Sequence, residues 1–456
     1  MRKYLTKLFL TLFFGIINLQ TIHSQNTNSY ELSLKEAISF ALDNSYTALQ
    51  SKKEVAKALQ QKWETTARGL PQINGEVNYL NYLRQPVSLI PAQIVNPNAN
   101  AGEFAAVTFG TKQQASLNVT LSQLIFDGSY LVGLEAVSVF IDYTKNTEEK
   151  QKINIVKGIV NSYGGVLLAK ENQSVLEKNI DVLNKNITET QQIYANGFTE
   201  QESLEQLQLT KLQLQNQLDN AKRLVEISKK MLKLSLGIPI QNSIILTDTL
   251  LEISTQSVSS GVNLQDFKLQ ENNDFKQVEI LLEQRSLEVK LEKSKALPSL
   301  GAFVNFGTSA FNNDFKFLSF NERWFASSIF GATLKVPIFS SYARKAATTR
   351  AKLNLEQAEI TFKEVSEQLQ LGYEKAKSDF EYAVSNLNIL EKHLALAKRI
   401  ENKNQIKFKE GIATSFELRQ AQNQLYTAQF NYLQAQLQVV NAKAELEALL
   451  NNSNNN

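Results

Sequence analysis

Two stretches of this chain, from about Tyr130 to Tyr194 and from about Tyr342 to Phe408, contain no proline and few glycines. Each reads as one helix, and at 1.5 Å per residue each is on the order of 100 Å long. A globular core has little use for helices of that length, whereas a rod, a coiled coil or a tube has. Gly164-Gly165 is the main interruption of the first, readable as a kink or as a close helix contact.

Each long stretch ends in a related sentence. YANGFTEQESLEQLQL begins at Tyr194 and FKEGIATSFELRQAQN at Phe408. Aligned, they set Tyr194 over Phe408, Gly197 over Gly411, Leu204 over Leu418, Gln206 over Gln420 and Gln208 over Gln422. Glycine past a helix end, followed by Thr199 in one copy and Thr414 or Ser415 in the other, is the chemistry of a tight helix-to-helix turn. After the turns, apolar residues step by three and four. One series is Leu204, Leu207, Lys211, Leu214, Leu218, Ala221, Val225, Ser228, Leu232, with two polar interruptions. The other runs Ala421, Leu425, Ala428, Tyr432, Ala435, Val439, Ala442, Leu446, Leu449. A second stripe, Phe430, Leu433, Leu437, Val440 and Ala444, lies beside the latter. Two stripes imply neighbours on two sides, as in a ring of helices.

At the other end of each hairpin the period falls to two. Leu70-Pro71 opens one segment, a Pro/Asn/Gly-rich loop fills about 84–112, and Ala115, Leu117, Val119 and Leu121 alternate with Ser116, Asn118, Thr120 and Ser122. Leu297-Pro298 opens the second, a loop fills about 308–323, and Ser328, Phe330, Ala332, Leu334 and Val336 alternate with Ile329, Gly331, Thr333 and Lys335. Strands of roughly ten residues suit a tilted membrane crossing, although a soluble sheet with one wet face has the same pattern. Four strands left open in lipid would strand two edges of unsatisfied backbone, so copies must associate until the sheet closes. Two copies give eight strands and a plugged lumen; three give twelve and a possible channel.

The N-terminus favours the membrane reading. Arg2, Lys3 and Lys7 precede an apolar run from Leu8 to Leu19. That run is about twelve residues, where a spanning helix needs roughly 20, so a signal peptide over 1–25 is expected. Its loss takes the 48 basic residues to 45, level with the 45 acidic ones. A neutral chain argues against a nucleic-acid partner. The chain has no cysteine, hence no disulfide frame, and His393 is the only histidine outside the signal, which excludes a multi-histidine metal site. No phosphate loop or nucleophile elbow is present, so no enzyme, cofactor or metal is expected.

These pieces resemble the TolC-like outer-membrane efflux proteins, the outer membrane factor family. The resemblance rests on LSLKEAISFALDNS, the strands opened by Leu-Pro, QLIFDGSY with VPIFSSYARKA, the two glycine turns, and the helices ending in LSLGIPI and LEALLNN. It implies a mostly α membrane protein with β-strands. Three chains would build a 12-stranded outer-membrane β-barrel, four strands from each, continued by a 12-helix periplasmic α-barrel. Each chain would hold a first repeat (26–240, strand pair 71–126, tip near 194–203), an equatorial linker (241–265), a second repeat (266–450, strand pair 298–339, tip near 408–417) and a disordered tail (451–456). The function implied is the exit duct of a tripartite efflux or secretion pump, in the outer membrane with most of the chain periplasmic. Its implied partners are a periplasmic adaptor (membrane fusion protein), an inner-membrane transporter of the RND or ABC class, and outer-membrane lipid. Adaptor docking would fall on Gly197, Phe198, Thr199, Gly411, Ile412 and Ala413. The family rings its closed entrance with acids, and the matching positions are Glu417, Gln420 and Ser203, one acid with two departures. The alternative for Glu417 is a solvated acid favoured by the helix dipole. The alternative for the whole chain is a periplasmic coiled-coil scaffold or adaptor-type protein without a barrel.

Overall fold

A computed structural model describes residues 29–260 and 267–451. The expected signal segment, 261–265 of the expected linker and 452–456 of the expected tail lie outside them. In chain order the elements are β1 (Ser29–Leu32), α1 (Leu34–Asn44), α2 (Tyr46–Ala67), β2 (Gln72–Asn81), β3 (Val87–Pro91), β4 (Phe104–Thr108), β5 (Gln113–Asp127) and α3 (Gly128–Ala195). Then come α4 (Gln201–Leu236), β6 (Ser243–Leu246), α5 (Leu250–Ser259), α6 (Asn273–Ser294), β7 (Ser299–Asn312), β8 (Phe325–Lys335), α7 (Ala343–Lys409) and α8 (Ser415–Leu449). The fold is mostly helical. α3 and α7, of 68 and 67 residues, are unbroken.

Three details depart from the sequence reading. The stretch 84–112 is not a plain loop: β3 and β4 pair antiparallel from Val87↔Thr108 to Pro91↔Phe104. Pro91 ends the ladder there, and β-prone Val87, Leu89 and Ile90 outweigh the loop-forming composition around them. β1 and β6, unmarked in sequence, form a two-stranded parallel pair. Along α4 the buried seam runs through Thr210, leaving Lys211 exposed, because burying an unpaired ammonium costs more than burying a hydroxyl.

The described residues form two compact units. The first gathers those within Met1–Leu49, Lys152–Gln265 and Lys375–Asn456. Its main core joins Ala37 and Ala41 of α1, Tyr163 and Leu167 of α3, Leu232 of α4, Leu250 of α5 and Val440 of α8. Asp248 ties these pieces together. Its Oδ2 accepts the Leu34 N–H at 2.6 Å and the Tyr163 hydroxyl at 2.9 Å, placing an anion at the N-terminus of α1. Burial, with Asp248 as neighbour, pushes the Tyr163 hydroxyl well above its ordinary value. Gly164 is a close helix contact: a Cβ there would lie 2.5 Å from Leu437 Cδ1 of α8, while at Gly165 it would meet nothing within 4 Å. A second core, Leu176, Ile180 and Leu183 against Leu207, Leu214 and Leu218, zips α3 to α4.

The second unit lies within Gln50–Gln151 and Asp266–Glu374. Its centre is an antiparallel four-stranded sheet in the order β2-β5-β7-β8. Beside it Val132 and Val139 of α3 pack on Leu287 of α6, Asn146 donates to the Asn273 carbonyl at 2.8 Å, and Lys150 pairs with Asp274.

Candidate functional site: the helical turns and the strand sheet

Both turns close in the same way. In the first, Gly197 has φ +73° and donates to the Tyr194 carbonyl at 2.9 Å, while Phe198 N–H reaches the Ile193 carbonyl at 3.1 Å. In the second, Gly411 has φ +70° and donates to Phe408 at 3.1 Å, while Ile412 N–H reaches Lys407 at 2.8 Å. These are left-handed C-caps of the Schellman kind. Neither glycine has an atom within 4 Å of where a Cβ would sit, so backbone conformation alone calls for glycine. The residue after each glycine is apolar and turned out: Phe198 is 83% exposed and Ile412 75%.

The starts of the next helices differ. Thr414 caps α8 in a reciprocal box: Thr414 Oγ1 accepts the Glu417 N–H at 3.2 Å and the Glu417 carboxylate accepts the Thr414 N–H at 2.8 Å. Thr199 does not cap α4, as its spacing suggested. Glu200 stands at the cap with no side-chain bond: it lies three residues past Gly197, as Thr414 lies three past Gly411, and Thr199 falls one position too early.

Glu417 is exposed, and its hydrogen bonds from the Thr414 backbone and hydroxyl, aided by Lys407, hold its carboxyl below the usual carboxylate range. Gln420 is exposed on the same helix, and Ser203 is half-buried on α4. Among the described residues no hydrogen bond or ion pair joins Ser203 to either. Side-by-side contacts link the two hairpins near their turns: Gln405 donates to Asn186 Oδ1 at 3.1 Å and Lys409 pairs with Glu189 at 3.0 Å. One residue escaped the sequence reading altogether. Glu401 of α7 is half-buried, and burial pushes its carboxyl up; burial, and after it the charge of Glu401, raises the hydroxyl of half-buried Tyr426 of α8. Nothing in the sequence marks it, since its neighbours Arg399 and Lys403 read as a solvated face.

The sheet has two chemically distinct faces. Ladder partners share a face, so Ile73, Leu121, Val304 and Phe330 line up on one side, with Val77, Leu117 and Leu334. This apolar face is open: Val77 and Phe330 are each 75% exposed. Asn74, Glu76, Ser116, Asn118, Thr120 and Asn305 populate the other side, where Asn305 Nδ2 donates to Thr120 Oγ1 at 2.7 Å. Leu80, Phe303, Phe311, Phe325 and Ile329 are apolar exceptions there, Phe311 and Phe325 near one end of the sheet and Phe303 lying against Gly331. A soluble sheet turns its apolar face inward; this one turns it out, the arrangement of strands that meet lipid on one side and water on the other. Among the described residues no helix is long and apolar enough to cross a membrane, and no cluster of His, Asp or Glu is arranged for a metal.

Residues 266–452 match the family model of the outer membrane efflux proteins. No curated protein matches the sequence. Among solved structures, the chain is similar to the CmeC outer membrane channel of Campylobacter jejuni, with TM-score 0.69 and 17% identity over 92% of this chain and 86% of that one. It is similar to the outer membrane protein VceC of Vibrio cholerae, with TM-score 0.68 and 14% identity over 92% and 96%. For the MtrE outer membrane channel of Neisseria gonorrhoeae, in its open state, the values are 0.68 and 16% over 92% and 88%. Residues 266–452 thus resemble the outer membrane efflux proteins, and the chain as a whole has the fold of these outer-membrane channels.

Proposed function

We propose that the chain is one third of an outer-membrane exit duct for an efflux or secretion pump. The observation that carries this is the sheet whose exposed face is apolar and whose opposite face is polar. Among the described residues the sheet runs from β2 to β8 with both edges unpaired. Closure through two further copies gives twelve strands, the apolar face to lipid and the polar face to the lumen. The run helix, strand pair, long helix, helix occurs from α2 to α4 and again from α6 to α8, which supports reading the chain as two repeats joined by an equatorial segment. The helices of three copies then supply a periplasmic tunnel.

The turns are the surface for a periplasmic adaptor, through Phe198 and Ile412 with Gly197, Thr199, Gly411 and Ala413. The adaptor would connect the duct to an inner-membrane transporter of the RND or ABC class. An Ile412→Cys variant should crosslink to a co-expressed adaptor, and absence of a crosslink at every turn position would leave the turns a purely structural role. Glu417 is read as an entrance acid as well as a cap, with Gln420 and Ser203 as the matching positions that carry no acid. The Thr414 cap holds its carboxyl below the usual range, and a ring of three such charges would repel anions and attract cations. Unchanged conductance and cation preference in Glu417→Gln would remove the entrance role.

The test of the whole reading is extraction of the protein with and without detergent, followed by native mass spectrometry. A detergent-dependent trimer is expected. A water-soluble monomer or dimer would favour a periplasmic scaffold instead.

A further inference from the structure

The register inside one chain states where a second chain would pair. The step that carries Leu70-Pro71 onto Leu297-Pro298 carries Gln72 of β2 onto Ser299 of β7. The step that carries Ile125-Phe126 onto Ile338-Phe339 carries Ser122 of β5 onto Lys335 of β8. Gln72 faces Ser122, and Ser299 faces Lys335. Likewise Tyr79↔Ala115 becomes Phe306↔Ser328, which is again an observed pair. Motifs outside the ladders therefore reproduce the register of the second strand pair from that of the first.

The β5–β7 ladder joins the end of the first strand pair to the start of the second. The same two steps carry it from the end of the second pair to the start of the first pair in another copy. Ser122↔Phe303 becomes Lys335↔Glu76, Leu121↔Val304 becomes Leu334↔Val77, and Val119↔Phe306 becomes Ala332↔Tyr79. We propose that β8 of one copy pairs antiparallel with β2 of a second copy in this register, with Lys335 opposite Glu76. This rests on the reading that the sheet closes through copies of the chain.

Charge and face both agree with it. Glu76 is the only charged residue of β2 and Lys335 the only one of β8, and both are exposed at the open edges. The proposed register brings them together on the polar face, where Asn78 already donates to Glu76 at 3.0 Å. It also places Leu334 beside Val77, both exposed, on the apolar face. A slip of one residue would put each apolar set on the wrong face, and a slip of two would set Lys335 against Asn74 or Asn78 and move the two charges off opposite positions.

The chain has no cysteine, so introduced pairs read the register directly. Copies carrying both Glu76→Cys and Lys335→Cys, and separately both Val77→Cys and Leu334→Cys, would be oxidised in detergent and their oligomers counted on a denaturing gel. Opposed Cβ atoms lie about 5 Å apart and diagonal ones about 7–8 Å, so linking in at least one matched set should exceed that of Asn78→Cys with Lys335→Cys by about tenfold. As a check without cysteines, Lys335→Glu should lower the temperature at which the oligomer dissociates, and adding Glu76→Lys should restore it. A detergent-stable trimer that links best in the shifted set, or whose dissociation ignores both charge changes, overturns the register and leaves closure standing. A protein with no oligomer at all overturns closure, and this pairing with it.

Discussion

Thr414 and Glu417 satisfy each other's backbone donors at the start of α8, whereas the start of α4 has Glu200 and no such exchange. Thr414→Ala should therefore cost about 1 kcal/mol, read as faster amide exchange in the first turn of α8, while Thr199→Ala should cost almost nothing. The box depends on pH through a lowered carboxyl. Its stabilisation is complete above the unfolded value of about 4.3 and is lost as pH falls through the folded one. Glu401 has the opposite sign. Its carboxyl is raised by burial, so the folded state favours the proton and the stability present at low pH declines as pH rises through the folded value. Glu401→Gln should accordingly raise the melting temperature at pH 7 and flatten the pH profile above about 4.3; a lower melting temperature at pH 7 would contradict this. At this scale the two turn glycines were legible because positive φ nearly demands glycine. The capping residue of α4 and the burial of Glu401 were not, because both depend on where a neighbouring backbone runs.

Among elements, the two adjacent glycines of α3 do different things. Gly164 lets α8 approach through Leu437, and Gly165 faces open space. Gly164→Val should destabilise by about 1–3 kcal/mol through overpacking, whereas Gly165→Ala should be neutral or stabilising by up to about 1 kcal/mol; thermal melts of the two variants decide it. Two prolineless runs announced α3 and α7, and strict alternation announced β5 and β8, since periodicity is a local property. The β1–β6 pair joins residues far apart in sequence, with Ser29 against Ser243, and no local pattern reports such a partner. The β3–β4 hairpin was masked by Pro86, Pro91 and Pro97, whose loop signal outweighed three β-prone residues. At Lys211 the seam of α4 gives way to Thr210, a choice made by charge after the period has been set.

For the molecule as a whole, the two faces of the sheet make opposite demands on substitution. Val77→Arg on the apolar face should cost about 2–4 kcal/mol of stability in lipid, while Asn78→Arg, one residue away on the polar face, should cost little. Urea titration of the protein refolded into vesicles would measure both, and equal costs would mean that the faces do not meet different solvents. One structural feature also constrains how such a chain can change in length. α3 turns into α4, and α7 into α8, and contacts such as Gln405 with Asn186 and Asn179 with Gln429 at 2.8 Å keep the four helices in step. Each added residue turns everything beyond it by about 100° on the helix. An insertion in one helix alone would twist its buried stripe away from its neighbours. Growth or shortening is therefore quantised: whole heptads, gained or lost in all four helices together, so that a chain of this kind inherits its reach in steps.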